Sequence, residues 1–248
     1  MVVHLYGVVS AQARLPDDLQ GRQEAPVRRV SDGERDALIS DVDPDRHAGR
    51  RDLLAHAHVL ERCVEEATVV PFQFGIALED DDAVRERVLT QQRAQLAHLL
   101  RVFQEHVQLT VQALHQEEPA LREVLHRWPD LVAERDRLQR VGQAGDLAQV
   151  QLGQAVAAAL EDLTIEDGAM MMERLAPLAT AVGQPQALGD TEVLHAAFLV
   201  ARSRRLDFDH AVGGLRDDYG HRMTIRYIGP QPPYSFVEPA MAGELSWA

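Results

Sequence analysis

Gly229-Pro230-Gln231-Pro232-Pro233-Tyr234-Ser235-Phe236-Val237 follows directly on a strand-like segment, His221 to Ile228, and this junction constrains how the C-terminal end can fold. Each proline lacks a backbone N–H and holds φ at about −65°, so ladder and helix are both expected to stop here. Residues 229–248 are then read as a stiff, extended C-terminal tail. Tyr234 and Phe236 add two large apolar rings, which would be idle on a free tail. They are read as fastening the terminus to the protein's own body or to a partner.

Working back from this junction, Met223 to Ile228 reads as a strand, Leu206 to Tyr219 as a helix, and Val193 to Ala201 as an almost continuously apolar strand. Pro177 to Gly183 reads as a short strand. From Pro119 to about Ala176 the pattern is helical and alanine-rich, with breaks at Trp128-Pro129 and Gly142 to Gly145. Val107, Leu109, Val111 and Ala113 alternate with polar residues, the mark of a half-buried strand.

In the N-terminal part, residues 2–9 form a first strand and Val27 to Val30 a short second one. Arg46 to Ala67 is a helix whose seam is Leu53, Ala57, Leu60, Val64 and Ala67. Thr68 to Ile76 is extended, with Pro71 placing it at an edge or bulge. Glu79-Asp80-Asp81-Asp82 opens a second long helix, continued by Val84, Val88, Leu96, Leu99, Leu100 and Phe103. Strands mixed with helices twice over predict an α+β protein of two domains. The expected division is residues 1–105, residues 106–228 and the tail 229–248.

The 248 residues carry a formal net charge of −14, and all 25 basic residues are arginine. An acidic surface repels phosphate backbones, which argues against nucleic acid or anionic membrane as the main partner. The lack of lysine removes a Walker-type phosphate loop and Schiff-base chemistry. Cys63 is the only cysteine, so no intramolecular disulfide framework exists. The opening residues lack the pattern of a secretory signal, and a cytoplasmic location is expected.

Residues that suggest chemistry have structural explanations. His56 and His58 are two apart on a helix and point to roughly opposite sides, whereas a helical metal pair needs i and i+4. Asp41-Val42-Asp43-Pro44-Asp45 resembles the start of a calcium loop with Asp52 in twelfth place, but Arg46 occupies the glycine position. Ser235 sits in no nucleophile elbow, and Gly213-Gly214 is no dinucleotide fingerprint. Asp207, Asp209 and His210 lie at a helix start, where capping explains them. Met170-Met171-Met172 suits core filling or an adaptable apolar contact. No enzyme, no cofactor and no metal are therefore expected. The alternative is a small-molecule enzyme or sensor on a ferredoxin-like scaffold, which would need a pocket of convergent polar groups.

Three segments together resemble the gas vesicle protein F/L family (GvpF/GvpL): Leu5-Tyr6-Gly7-Val8-Val9, the run from His56 through Val70-Pro71-Phe72-Gln73-Phe74-Gly75, and the terminal 229–237. The resemblance extends in order over almost the whole chain. It implies a non-enzymatic accessory or minor structural protein of gas vesicles. Its N-terminal domain would be a ferredoxin-like variant. It would support assembly by binding the small, apolar major shell protein, with other gas vesicle accessory proteins as further partners. The positions matching the family motifs are Tyr6, Gly7, His56, Pro71, Phe74, Gly75, Gly229, Pro230, Pro232, Pro233, Tyr234, Ser235 and Phe236, as structural or partner-contact residues. Gln231 stands where the family usually has tryptophan, and Phe72-Gln73 replaces the usual Met-Arg.

Overall fold

The computed structural model describes residues 2–141, 146–183 and 191–241. The first sheet has the order β2-β3-β1-β4, made of β1 (Val2–Ser10), β2 (Arg28–Ser31), β3 (Arg35–Val42) and β4 (Val69–Pro71), with β5 (Ala77–Leu78) also paired to β1. β1 pairs antiparallel with β3, β4 and β5, and β2 pairs antiparallel with β3. The inner seven residues of β1 are all buried, as befits a central strand covered on both faces. Helices α1 (Arg50–Glu66) and α3 (Arg93–Glu105) both pack on it. β3 has no counterpart in the sequence reading, because its Arg35, Asp36, Ser40 and Asp41 break up the apolar pattern of a strand that nevertheless pairs along its whole length with β1.

The buried face of α1 is Asp52, His56, Val59, Leu60 and Cys63, whereas Leu53 is exposed. This corrects the expected seam, which counted apolar residues only. The true face contains an aspartate and a histidine whose polar atoms are satisfied by partners elsewhere in the unit. The expected second long helix is also interrupted. Asp80 caps it by accepting from the Ala83 N–H at 2.9 Å, and α2 (Asp81–Ala83) passes into a π-helical stretch, Val84–Thr90, before α3 begins.

The second sheet, order β7-β8-β6-β9, contains β6 (His106–His115), β7 (Ala181–Val182), β8 (Glu192–Ala201) and β9 (Met223–Gln231). Its central strands are β8 and β6, which explains why the β8 sequence is nearly continuously apolar. The remaining helices are α4 (Glu117–Arg127), α5 (Pro129–Val141), the 30-residue α6 (Asp146–Leu175), α7 (Arg205–Tyr219) and α8 (Tyr234–Met241). The α+β class is therefore what the structure shows, with two antiparallel sheets.

By contact the chain forms two compact units. One comprises residues 1–109, 199–202 and, among the described residues, 229–241; the other comprises 110–198 and 203–228. Residues 229–241 are not an extended tail. β9 continues through Pro230 to Gln231, and α8 starts at Tyr234. A proline is tolerated on β9 because that strand is last in its sheet, so its outer side needs no donor. Pro232 and Pro233 immediately precede the first turn of α8, where proline's fixed φ is compatible with helix entry. Their carbonyls accept from Tyr234 N–H (2.8 Å) and Phe236 N–H (3.1 Å) respectively.

Candidate functional site

The motif residues from the two ends of the sequence all fall in the first unit. β1 carries Tyr6 and Gly7 through its centre. A Cβ on Gly7 would lie 2.8 Å from the Val70 carbonyl oxygen, so only glycine allows β4 this close. Pro71 pairs with Gly7 at the end of β4, and β5 then pairs with Val3 and His4. Between them Phe72 N–H still donates to the Tyr6 carbonyl (2.8 Å) and the Ile76 carbonyl accepts from Leu5 N–H (3.0 Å), so the bulge is residues 73–75, with Gly75 at φ 101°.

Under this bulge lies a buried polar chain that the sequence reading did not single out as a unit. The Phe72 carbonyl can only accept, so His56 Nε2–H donates to it at 3.0 Å. His56 Nδ1 must then accept, and it does so from His4 Nε2–H at 2.9 Å. Arg22 Nη1 reaches His4 Nδ1 at 3.4 Å. One carbonyl thereby sets the tautomer of both rings, and both are held neutral. Burial, reinforced by the nearby His56 and Arg22, pushes His4 down to about 3. Burial lowers His56 as well, against the hydrogen bond to Phe72.

Arg22 is the hub. Its backbone N–H donates to Tyr6 Oη (2.7 Å), and the Tyr6 and Ser40 hydroxyls share a hydrogen bond of 2.7 Å. Its guanidinium lies 3.9 Å from Asp52 and 5.3 Å from the centre of the Phe74 ring. Asp52 also accepts from the Gly49 N–H at 3.0 Å, which holds its carboxyl below the usual range. Asp41, the other end of the calcium-like stretch, pairs with Arg28 at 2.7 Å. His58 is exposed and apart from this network. Cys63 is buried in the cluster with Tyr6, Val59 and Leu60, and burial pushes its thiol up to about 12, the opposite of an activated nucleophile.

The C-terminal motif docks on the same unit. Gly229 has φ 149° and a Cβ there would meet Leu109 Cδ2 at 2.7 Å and the Gln108 carbonyl at 3.0 Å. Pro230 is exposed, while Pro232 and Pro233 are buried. Tyr234 packs against the cluster around Tyr6, and burial beside Glu61 raises its phenol. The Ser235 N–H donates to Gln108 Oε1 at 3.2 Å, and Phe236 is 0% exposed. α8 lies against β4 and α3. A groove of about 290 Å³ remains between Pro71, Phe72, Gln73, Ile76, Gln92, Tyr234 and Val237.

In the second unit a buried triad joins three elements. Arg222 clamps Asp167 with bonds of 2.5 and 2.6 Å, and His115 Nε2 donates to the same carboxylate at 2.8 Å. Burial opposes ionisation of Asp167, but these bonds and charges prevail and its pKa is lowered. All three side chains are enclosed, so the arrangement ties β6, α6 and the start of β9 together and presents no group to a substrate. Met171 is buried, with Met170 and Met172 half-buried beside it. Asp209 accepts from the Tyr227 O–H, so that helix-start cluster is also engaged.

Residues 2–238 match the family model described as gas vesicle synthesis protein GvpL/GvpF. The chain belongs to that family. Gas vesicle protein F of Streptomyces sp. (strain CB03234) is 33% identical over 241 residues, covering 96% of this chain and 100% of that protein. Gas vesicle protein F of Microcystis aeruginosa (strain PCC 7806) is 24% identical over 242 residues, covering 95% and 98%. The crystal structure of GvpF from Anabaena sp. PCC7120 shares the fold with a TM-score of 0.76 at 24% identity, over 95% of this chain and 98% of that one. The crystal structure of GvpF from Microcystis aeruginosa gives a TM-score of 0.71 at 25% identity, with the same coverage. This GvpL/GvpF member is thus a gas vesicle associated protein. Among its described residues no helix is long and apolar enough to cross a membrane.

Proposed function

We propose that this protein supports gas vesicle assembly by binding the apolar major shell protein, acting from the cytoplasm at the growing vesicle and converting no substrate. Family membership supports the process. The observation that carries the binding role is the exposure of large apolar side chains on an acidic chain: Leu147 at 71%, Ile165 at 63% and Val150 at 54%, all on α6. A body of net charge −14 stays dispersed by self-repulsion while such a surface covers an apolar companion. In this reading the motif positions from Tyr6 to Phe236 maintain the first unit, and contact with the shell protein is made elsewhere. Deleting the gene in its host should yield fewer or misshapen vesicles, and the purified protein should bind purified shell subunit saturably. Normal vesicles in the deletion strain together with no measurable binding would overturn the assignment.

A further inference from the structure

At one end of the first sheet lies a cleft of about 640 Å³ that contains none of the family-motif positions. Its walls come from the end of β1 and the segment after it, the β2–β3 turn, the junction of α1 with β4, and α3, all within the first unit. Ala13, Ala67, Ala97 and Leu100 give it an apolar wall, and Gln12, Thr68 and Gln104 add polar groups. Among the described residues, the guanidinium groups of Arg14 and Arg101 have neither a carboxylate partner nor a hydrogen bond, although both line this cleft. A chain of net charge −14 has carboxylates to spare, so two unpaired guanidinium groups on one cleft mark a place that lacks acceptors.

The other lining charges are mostly committed. Arg35 Nε and Nη2 donate to Asp32 Oδ2 at 3.2 and 2.6 Å, and its Nη1 donates to the Arg93 carbonyl at 2.7 Å. Glu34 is held by Arg93 at 2.8 Å. Glu66 is the one lining carboxylate without a partner among the described residues, so Arg14 and Arg101 set against it leave one positive charge free. Gln12 Oε1 accepts from the Ser10 hydroxyl at 2.6 Å, which leaves the Gln12 amide N–H groups unused. With these, the two guanidinium groups, the Gln104 amide and the Thr68 hydroxyl offer more donors than Glu66 can accept from. A donor-rich cleft with one surplus positive charge selects an acceptor-rich ligand of one negative charge, which is a carboxylate. A phosphate monoester, at about −1.5 to −2, overfills that charge on an already acidic chain. The competing assignment for both arginines is to neutralise the carbonyl ends of α1 and α3, whose last turns carry no basic residue of their own.

We propose that this cleft binds a carboxylate with a short apolar body, the carboxylate held by Arg14 and Arg101 and the body lying on the wall of Leu100 and the alanines. The proposal does not depend on the shell-binding reading above. Hexanoate and the peptide acetyl-Leu-Glu-Leu-amide are titrated into the full chain by NMR, each beside its neutral counterpart, hexanamide and the glutamine peptide, with inorganic phosphate as a further probe. A carboxylate probe should bind saturably, about tenfold more tightly than its neutral counterpart and about tenfold more weakly to the Arg14→Gln, Arg101→Gln double variant. Glu66→Gln removes the opposing charge and should tighten binding about twofold, while Arg50→Gln, at an exposed arginine outside the cleft, should leave it unchanged. Tighter binding of hexanoate than of the peptide would support the site and assign it to a free organic acid. The reverse order would support it as a site for an acidic side chain of a protein. No saturable binding of either carboxylate, equal binding of the neutral counterparts, or tighter binding of phosphate would overturn the proposal. A lower melting temperature in the double variant with carboxylate binding unchanged would assign the arginines to the ends of α1 and α3 and overturn it as well.

Discussion

Residues 229–237 and residues 147–160 are both uncharged and apolar-rich, yet the first bury Pro232, Pro233 and Phe236, whereas in the second only Ala159 is buried. Phe236 disappears beneath its unit, whereas Leu147 and Val150 face water. The difference lies in what each segment meets. The C-terminal segment returns to strands and helices made more than a hundred residues earlier, as the Ser235–Gln108 bond across 127 positions shows. The first half of α6 lies against α4 and α5, and its leucines Leu147 and Leu152 are left exposed and half-buried. Apolar content therefore says that a segment needs a cover, and not whether the chain itself supplies one.

The strongest way to break this comparison is Phe236→Ala. Removing a fully enclosed ring should cost about 3–5 kcal/mol, read as a lower denaturant midpoint for the full chain. A change below about 0.5 kcal/mol, the size expected of an exposed site, would show that the segment is not fastened. Gly229→Ala should cost about 1–3 kcal/mol, because the new Cβ meets the Gln108 carbonyl and the φ of 149° is unfavourable for alanine. Unchanged stability there would mean the docking path can shift freely.

Acid sharpens the contrast between the two units. A histidine depressed to about 3 in the fold binds its proton more readily when unfolded, where its value is 6.5. The first unit's stability is therefore fully present above pH 6.5 and is lost as pH falls towards 3, by up to about 1.4 kcal/mol per pH unit for this group. Asp167 is lowered below 3.8, so its contribution is still fully present at pH 4 and is lost as the pH falls below about 3.8. Hydrogen exchange between pH 7 and pH 4 should show the His4–His56 region loosening before the Asp167 region, and the reverse order would contradict the neutral-histidine chain. The smallest effect is expected for Leu147→Ala, within about 0.5 kcal/mol in thermal unfolding, because that side chain has no cover to lose.

The sequence showed its helices where periodicity is strong: the bounds of α7 and of the strand β8 follow from it within a residue, while α1 starts four residues later than expected. It failed where polar residues are buried. His4 interrupts the apolar opening run, and that position alone was a signal that a histidine is enclosed there. Arg22 carried no comparable mark. Its role depends on Tyr6, Asp52 and His4 being brought to it. His115 ended a well-read strand without revealing Asp167, 52 positions further on, or Arg222 beyond that.

By itself the amino-acid order determined the α+β class, the edge character of Pro71, the acidic surface and the likeness to gas vesicle proteins, because propensity, periodicity, charge and motif spacing are local properties of the chain. Only the tertiary structure decided which face of α1 is buried, that the proline-rich segment becomes strand and helix on the first unit, and that Leu147 and Val150 of α6 stay exposed. These depend on partners supplied from distant parts of the chain. A polar side chain is buried, or an apolar one covered, only where those partners actually arrive.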